Sequence, residues 1–180
     1  MSLSTKPHFQ AEEDEITKQG DSYILKPRGL SIVWGNVEHH WKLPKKLSKG
    51  DSNDPAELKQ VSWLEVTGSV SLIPTKTYQI SFDVELTPCA FGWRDIQAFL
   101  MAKVGKRGKY KWTKVKVVQD PNVGRFTIPD KTSPPLRIEV LPASVDNMLH
   151  FGLYEVWSGK WKGGLKIHQA NVTEVTSTLA

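Results

Sequence analysis

Nine residues constrain this chain more than any others: Tyr78-Gln-Ile-Ser-Phe-Asp-Val-Glu-Leu86. Tyr78, Ile80, Phe82, Val84 and Leu86 hold one parity, and Gln79, Ser81, Asp83 and Glu85 hold the other. A period of two places the two sets on opposite faces of a strand, one buried against a core and one wet. The stretch predicts a strand of a β-sandwich.

The surrounding sequence repeats that pattern in shorter pieces. Residues 62–72 read as a strand, with Leu64, Val66 and Val70 in phase, and Ile73-Pro-Thr-Lys76 connects it to the first strand as its expected pairing partner. Further strands are expected at 29–34, 95–104, 110–118, 136–141, 149–157 and 163–175, separated by breaks rich in Gly, Pro, Asp or Asn. Residues 103–109 read as a basic turn, residues 120–124 as a loop, and only 54–60 suggests a helical turn. About eight short strands without a long amphipathic helix predict an all-β chain, an antiparallel β-sandwich of jelly-roll type. Residues 1–22, which include Glu12-Glu13-Asp14-Glu15, lack hydrophobic periodicity. They are expected to form a mobile tail ahead of a domain spanning 23–180. Residues 42–56 turn to Lys, Ser, Gly, Asp, Asn and Pro, the composition of a long exposed connection.

Composition removes several function classes. With 180 residues and 39% apolar content, the chain has the size of one globular domain, and no apolar run approaches the roughly 18–20 residues that span a bilayer. Its first residues lack the apolar core of a secretory signal, so a cytoplasmic or nuclear location is expected. Cys89 stands alone, which forbids an intramolecular disulfide and a Cys-rich metal site. A phosphate-binding Gly-rich loop, a Gly-x-Ser-x-Gly elbow and a His-Glu-x-x-His pair are all missing, and His8, His39, His40, His150 and His168 show no ligand spacing. Neither catalysis nor a cofactor or metal is implied. The net charge of +5 collects in 42–49 and in Lys103, Lys106, Arg107, Lys109, Lys111, Lys114 and Lys116, with Tyr110 and Trp112 interleaved. This arrangement keeps open RNA or another anionic partner, whose binding would fall steeply with salt.

What remains is aromatic. Among seven tryptophans, Trp34 precedes Gly35-Asn36, Trp41 follows after a polar loop, and Trp157 and Trp161 flank Ser158-Gly159-Lys160. Leu149, Phe151, Leu153, Glu155 and Trp157 share a parity, so a carboxylate is set beside an indole. A ring that packs on the C–H face of a sugar, next to a group that accepts hydroxyl protons, makes a saccharide site. Hairpin packing is an equal reading of Trp157 and Trp161. Trp63 and Trp112, inside strand segments, are expected to pack.

Several blocks in order carry a resemblance: Arg28 to Asn36 with Trp41, residues 56–68, Tyr78 to Leu86, Gly92-Trp93, Leu153-Tyr-Glu155 and Lys160-Trp-Lys-Gly163. From about residue 23 to 175 the chain resembles the plant phloem protein 2 lectin family. The resemblance implies a non-catalytic nucleocytoplasmic jelly-roll lectin, often a homodimer, that binds N-acetylglucosamine oligomers and N-glycan cores. It implies sugar contact by Trp34 and Trp41 and by Glu155, with Trp161 and Lys162 in the motif that follows. Local chemistry adds Asn36, Trp157 and Lys160. His40 stands where the family commonly has an aromatic residue, and Leu43 where it often has tryptophan. Removing a stacking ring from such a surface costs on the order of 1 kcal/mol. A structural phloem subunit without strong sugar binding, assembling through a sheet edge, is the other alternative.

Overall fold

Tyr78, Ile80, Phe82 and Val84 are fully buried and the residues between them are not, as a period of two requires. The computed structural model describes residues 6–46, 52–117 and 124–176. Within them the chain forms β1 (Ile16–Gln19), β2 (Ser22–Leu25), β3 (Ser31–Ile32), β4 (Trp41–Lys42), β5 (Ala56–Leu58), β6 (Leu64–Ser71) and β7 (Thr77–Phe91). After these come β8 (Ala98–Val104), β9 (Lys111–Val115), β10 (Phe126–Ile128), β11 (Leu136–Glu139), β12 (Met148–Glu155) and β13 (Gly163–Glu174).

Two antiparallel sheets result, and the fold is the sandwich expected. The larger is built on β7 and β13, which pair from Gly163 opposite Phe91 to Glu174 opposite Tyr78. The other edge of β13 receives β2 and β5, with β1 beyond β2 and β4 beyond β5, while β10 and β11 share the other edge of β7. The smaller sheet runs β3-β6-β12-β8-β9. Its inner residues Leu64, Val66, Leu100, Leu149 and Leu153 meet those of β7 and β13 in one core. Phe82 and Phe151 touch edge to face across the layers with centroids 5.9 Å apart. Gly68 makes room for that contact, since a Cβ there would lie 2.6 Å from the Phe151 Cζ.

Several expectations give way. The strand at 62–72 does not pair with β7. Both edges of β7 are taken, by β13 on one side and β10 and β11 on the other, and β6 lies in the opposite sheet between β3 and β12. Residues 72–76 therefore cross between layers, through Thr75 at φ 70° and a bond from the Leu72 N–H to the Asn147 carbonyl. The suggested helical turn at 54–60 is instead β5, drawn into a ladder by β13. Among the described residues thirteen strands replace the expected eight or so, because β1, β2, β4, β5 and β10 are too short to show a period in sequence. From Lys6 onward the expected mobile tail belongs to the body of the fold. Phe9 is 8% exposed and exchanges two backbone hydrogen bonds with Ile32, and a boundary at 22/23 would cut the β1–β2 hairpin. One buried ring and edge pairing hold this segment, so it needs no apolar stripe. The loop at 120–123 and the middle of the Lys-rich connection, 47–51, lie outside the described residues.

An ion cluster ties that hairpin down. Lys76 of the interlayer connection bonds Asp21 at the β1–β2 turn and, at 3.0 Å, Glu174 at the end of β13. The Lys76 hydrogen bond holds the Asp21 carboxyl below its ordinary value, against partial desolvation. Because the folded value is the lower one, the cluster's contribution is present above about pH 4 and is lost as pH falls through it. Amide exchange in β1 and β2 is expected to accelerate below pH 3 ahead of exchange in β7, and Asp21→Asn is expected to abolish that difference. Gly68→Ala is expected to cost about 1–3 kcal/mol in urea denaturation through overpacking against Phe151.

Candidate functional site

The segment after β3 is bent by two tight turns. The Gly35 N–H bonds the Ile32 carbonyl at 3.0 Å, and the Val37 N–H bonds the Trp34 carbonyl at 3.0 Å. Trp34 sits at φ 64°, a left-handed conformation that costs a non-glycine residue roughly 1–3 kcal/mol. Its neighbours hold it there. The Trp34 N–H donates to His8 Nδ1 at 2.9 Å, so the His8 proton resides on Nε2. Gly35 lies against Phe9, leaving only 2.7 Å between a hypothetical Cβ and the Phe9 Cβ. Asn36 closes the turn onto the N-terminal segment, donating from Nδ2 to the Lys6 carbonyl at 2.9 Å and the His8 carbonyl at 3.1 Å. The indole is thereby thrown outward, 38% exposed.

Four rings follow one another across this surface. His8 meets Trp34 edge-on at 4.9 Å, Trp34 meets His40 at 5.8 Å, and His40 lies nearly parallel to Trp161 at 6.3 Å with an interplanar angle of 22°. His40 Nδ1 is 2.7 Å from the Gln60 carbonyl, which fixes its N–H at that position and leaves Nε2 as the ring's acceptor. Beside the row is a hollow of about 400 Å³ lined by Arg28, Asn36, Glu38, Trp41, Leu43 and Lys59.

Trp161 reaches the row because the loop carrying it is anchored from below. Lys162 is fully buried, with its Nζ bonded to the Ser62 carbonyl at 2.7 Å and the Lys160 carbonyl at 3.0 Å and ion-paired to Glu155. Glu155, 1% exposed, also accepts the Ser158 N–H at 3.1 Å. Gly92 passes directly beneath at φ 80°, where a Cβ would lie 2.1 Å from the Trp161 carbonyl oxygen.

The sequence-based site divides accordingly. Trp34 and Trp161 are brought together. Trp41 is 2% exposed, so its face is not offered for stacking; it pairs with Leu58 as β4 and lines the hollow, with a buried Nε1–H that has no acceptor among the described residues. Glu155 and Lys162 pair with each other in the interior, closed to solvent. The Asn36 amide N–H groups are committed to the N-terminal segment. Lys160 is exposed, while its backbone serves the loop. Trp157 leaves the row and meets Phe99 at 5.1 Å, as Trp112 does at 5.6 Å. Trp63 and Trp112, expected to pack, are 47% and 57% exposed. Sequence reasoning missed His8 and His40. The first lies in the expected tail, and the second stands in place of a family aromatic although imidazole is itself a flat ring.

Removing one partner of the buried pair leaves the other charged and alone, so Lys162→Met is expected to cost about 3–5 kcal/mol in chemical denaturation, and the double variant Glu155→Gln/Lys162→Met to recover much of it. Equal losses in single and double variants would show that the ion pair is not what anchors the loop.

The sequence model of the family described as Phloem protein 2 matches residues 20–173. Protein phloem protein 2-like A9 of Arabidopsis thaliana is 42% identical over 186 residues, covering 97% of this chain and 100% of its own length. A protein named Lectin from Luffa acutangula is 32% identical over 79 residues, which cover 42% of this chain and 38% of the lectin. Among solved structures, a Podospora anserina GH26-CBM35 β-(1,4)-mannanase superposes with a TM-score of 0.50 at 7% identity, over 88% of this chain and 28% of that one. That likeness concerns the sandwich fold alone.

Proposed function

The chain belongs to the phloem protein 2 family, and we propose that it is a non-catalytic lectin whose His8-Trp34-His40-Trp161 row binds oligosaccharides containing N-acetylglucosamine. The observation that carries this reading is the row itself: two indoles, 38% and 54% exposed, bridged by an imidazole and fixed by backbone hydrogen bonds. Flat rings held open at the surface match the C–H faces of successive sugar units, and His40 Nε2 supplies a hydroxyl partner between them. The lectin from Luffa acutangula supports a sugar ligand for a related sequence.

Most glycoside hydrolases use two available carboxyl groups about 5–9.5 Å apart. Glu155, the carboxylate that the sequence sets beside an indole, is held by Lys162 and is closed to solvent. The family match and the lectin relative support the non-catalytic reading, and that occupation agrees with it.

Calorimetry with chitin oligomers tests the site. Trp34→Ala and Trp161→Ala are each expected to weaken binding by about 1 kcal/mol or more, roughly fivefold or greater, with the thermal midpoint changed little because both rings are exposed. His40→Ala is expected to fall in the same range and His40→Phe to restore most of the affinity. Wild-type protein that ignores chitin oligomers at millimolar concentration would dismiss the proposal.

A further inference from the structure

The outer face of the smaller sheet holds a second group of rings that the row does not use. Phe99 on β8 stands between Trp112 on β9 and Trp157 on the loop after β12, nearly perpendicular to both, at 77° and 80°. More than half of each indole is left in water, 57% and 59%. Two adjacent indoles fixed in place yet half uncovered form an apolar patch of the kind that marks a contact surface.

The hairpin carrying the patch is strongly one-signed. Between residues 98 and 115 lie Lys103, Lys106, Arg107, Lys109, Lys111 and Lys114, with no carboxylate. Three carboxylates flank the hairpin and offset part of this charge. Glu65 accepts the Trp63 Nε1–H at 2.8 Å, Asp146 accepts the Lys106 and Met148 backbone N–H groups at 3.1 Å each, and Glu139 shares a separate groove with Lys109 and Lys111. Next to Phe99 across the ladder is Tyr154, at one side of a groove of about 290 Å³ lined also by Thr67, Ser69, Tyr110 and His150. Lys103 and Lys106 share this lining with the hydroxyls and the imidazole. Burial, and then Tyr110 beside it, push the Tyr154 phenol well above its ordinary value, so it stays a neutral hydroxyl. His150 Nδ1 lies 3.2 Å from the Ser69 hydroxyl, while its Nε2 is buried without a hydrogen-bond partner among the described residues. Lys103, over the Tyr110 ring at 4.9 Å, brings the charge to the groove.

We infer that this face is a second, separate binding site for an acidic oligosaccharide, a chain of carboxylate-bearing sugars that packs on Trp112 and Trp157 and sets its carboxylates against Lys103 and Lys114. Rings without charge would suit a neutral glycan, and charge without hydroxyls would suit any polyanion. Exposed indoles, groove hydroxyls and a basic hairpin together suit an anionic chain that also offers apolar ring faces and hydroxyls, as an acidic sugar does. The site does not depend on the first. It shares with it only the loop that places Trp157 on one side and Trp161 on the other, so a single chain would hold two different glycans at once.

Calorimetry with an oligogalacturonate, its methyl-esterified form, a chitin oligomer and a single-stranded oligouridylate separates the readings. The acid form is expected to bind, to weaken with salt, and to bind at least about tenfold more tightly than the ester, the scale of a charge-assisted contact. Trp112→Ala and the double variant Lys103→Ala/Lys114→Ala are expected to weaken the acid form by about tenfold and to leave the chitin oligomer within about twofold, while Trp161→Ala does the reverse. All four replaced side chains lie at the surface or along it, and an unchanged near-ultraviolet dichroism spectrum certifies the fold of each variant. The proposal is overturned if wild-type protein ignores oligogalacturonate, if the ester binds as well as the acid, or if Trp112→Ala changes nothing. Tighter binding of the oligouridylate, lost in Trp112→Ala, overturns it in favour of a nucleic-acid surface. Because the chitin oligomer reports on the row alone, failure of one site leaves the other standing.

Discussion

The ion pair between Glu155 and Lys162 is the interaction on which the placement of Trp157 and Trp161 depends. Burying two charges is unfavourable unless every proton and lone pair finds a partner, and a well-packed apolar pair in their place is often no less stable. Here the ammonium has Glu155 and two carbonyls, and the carboxylate also takes a backbone N–H from the loop. Those bonds are directional, which apolar packing is not. They join the end of β12, the strand entry at Ser62 and the loop 156–162 into one unit. The loop is thereby given a single path, with one indole delivered to each side of it.

Beneath that unit, the β7–β13 ladder supplies the frame. It is the longest pairing in the molecule, and every other strand of the larger sheet attaches, directly or through a neighbour, to one of its two edges. Its existence was legible, because Tyr78 to Val84 alternate without error and long alternating strands are hard to accommodate in another way. Its partners were not legible. β6 and β7 adjoin in sequence, which favours a hairpin, yet β13, about eighty residues later, offers ten register pairs to β7 and wins. Edge competition of this kind is a property of the whole sheet and leaves no local mark. The segment before residue 23 escaped notice for a related reason: Phe9 and four short ladder pairs hold it, too few for any period.

At the site, residue type was a good guide to chemistry and a poor guide to placement. Glu155 shares its parity with Leu149, Phe151 and Leu153, and that parity already points it inward, whatever the attraction of a carboxylate beside an indole. Trp112 is the opposite case. Thr113 and Val115 face the core, so Trp112 and Lys114 face water, and the outward aspect of that indole follows from the alternation alone. Trp41 and Trp34 are not separable by local pattern. One becomes a core residue through pairing with Leu58 and the other is expelled by a left-handed turn, and both outcomes require the distant segments that β5 and Phe9 supply.

His8, the first ring of the row, lies ahead of residue 20, where the family match begins. A shortened chain cut at that border would keep β7, β13 and the smaller sheet while losing the ring and the backbone anchor of Trp34. The two ends of the fold also differ as points of attachment. β13 leaves the loop bearing Trp161 at Gly163 and runs twelve residues to Glu174, roughly 35 Å at the usual rise of a strand. Glu174 thus lies at the end of β13 opposite Trp161, whereas Lys6 lies beside Asn36 at the row. For a sensor surface or a fusion partner, the carboxyl-terminal side is the handle.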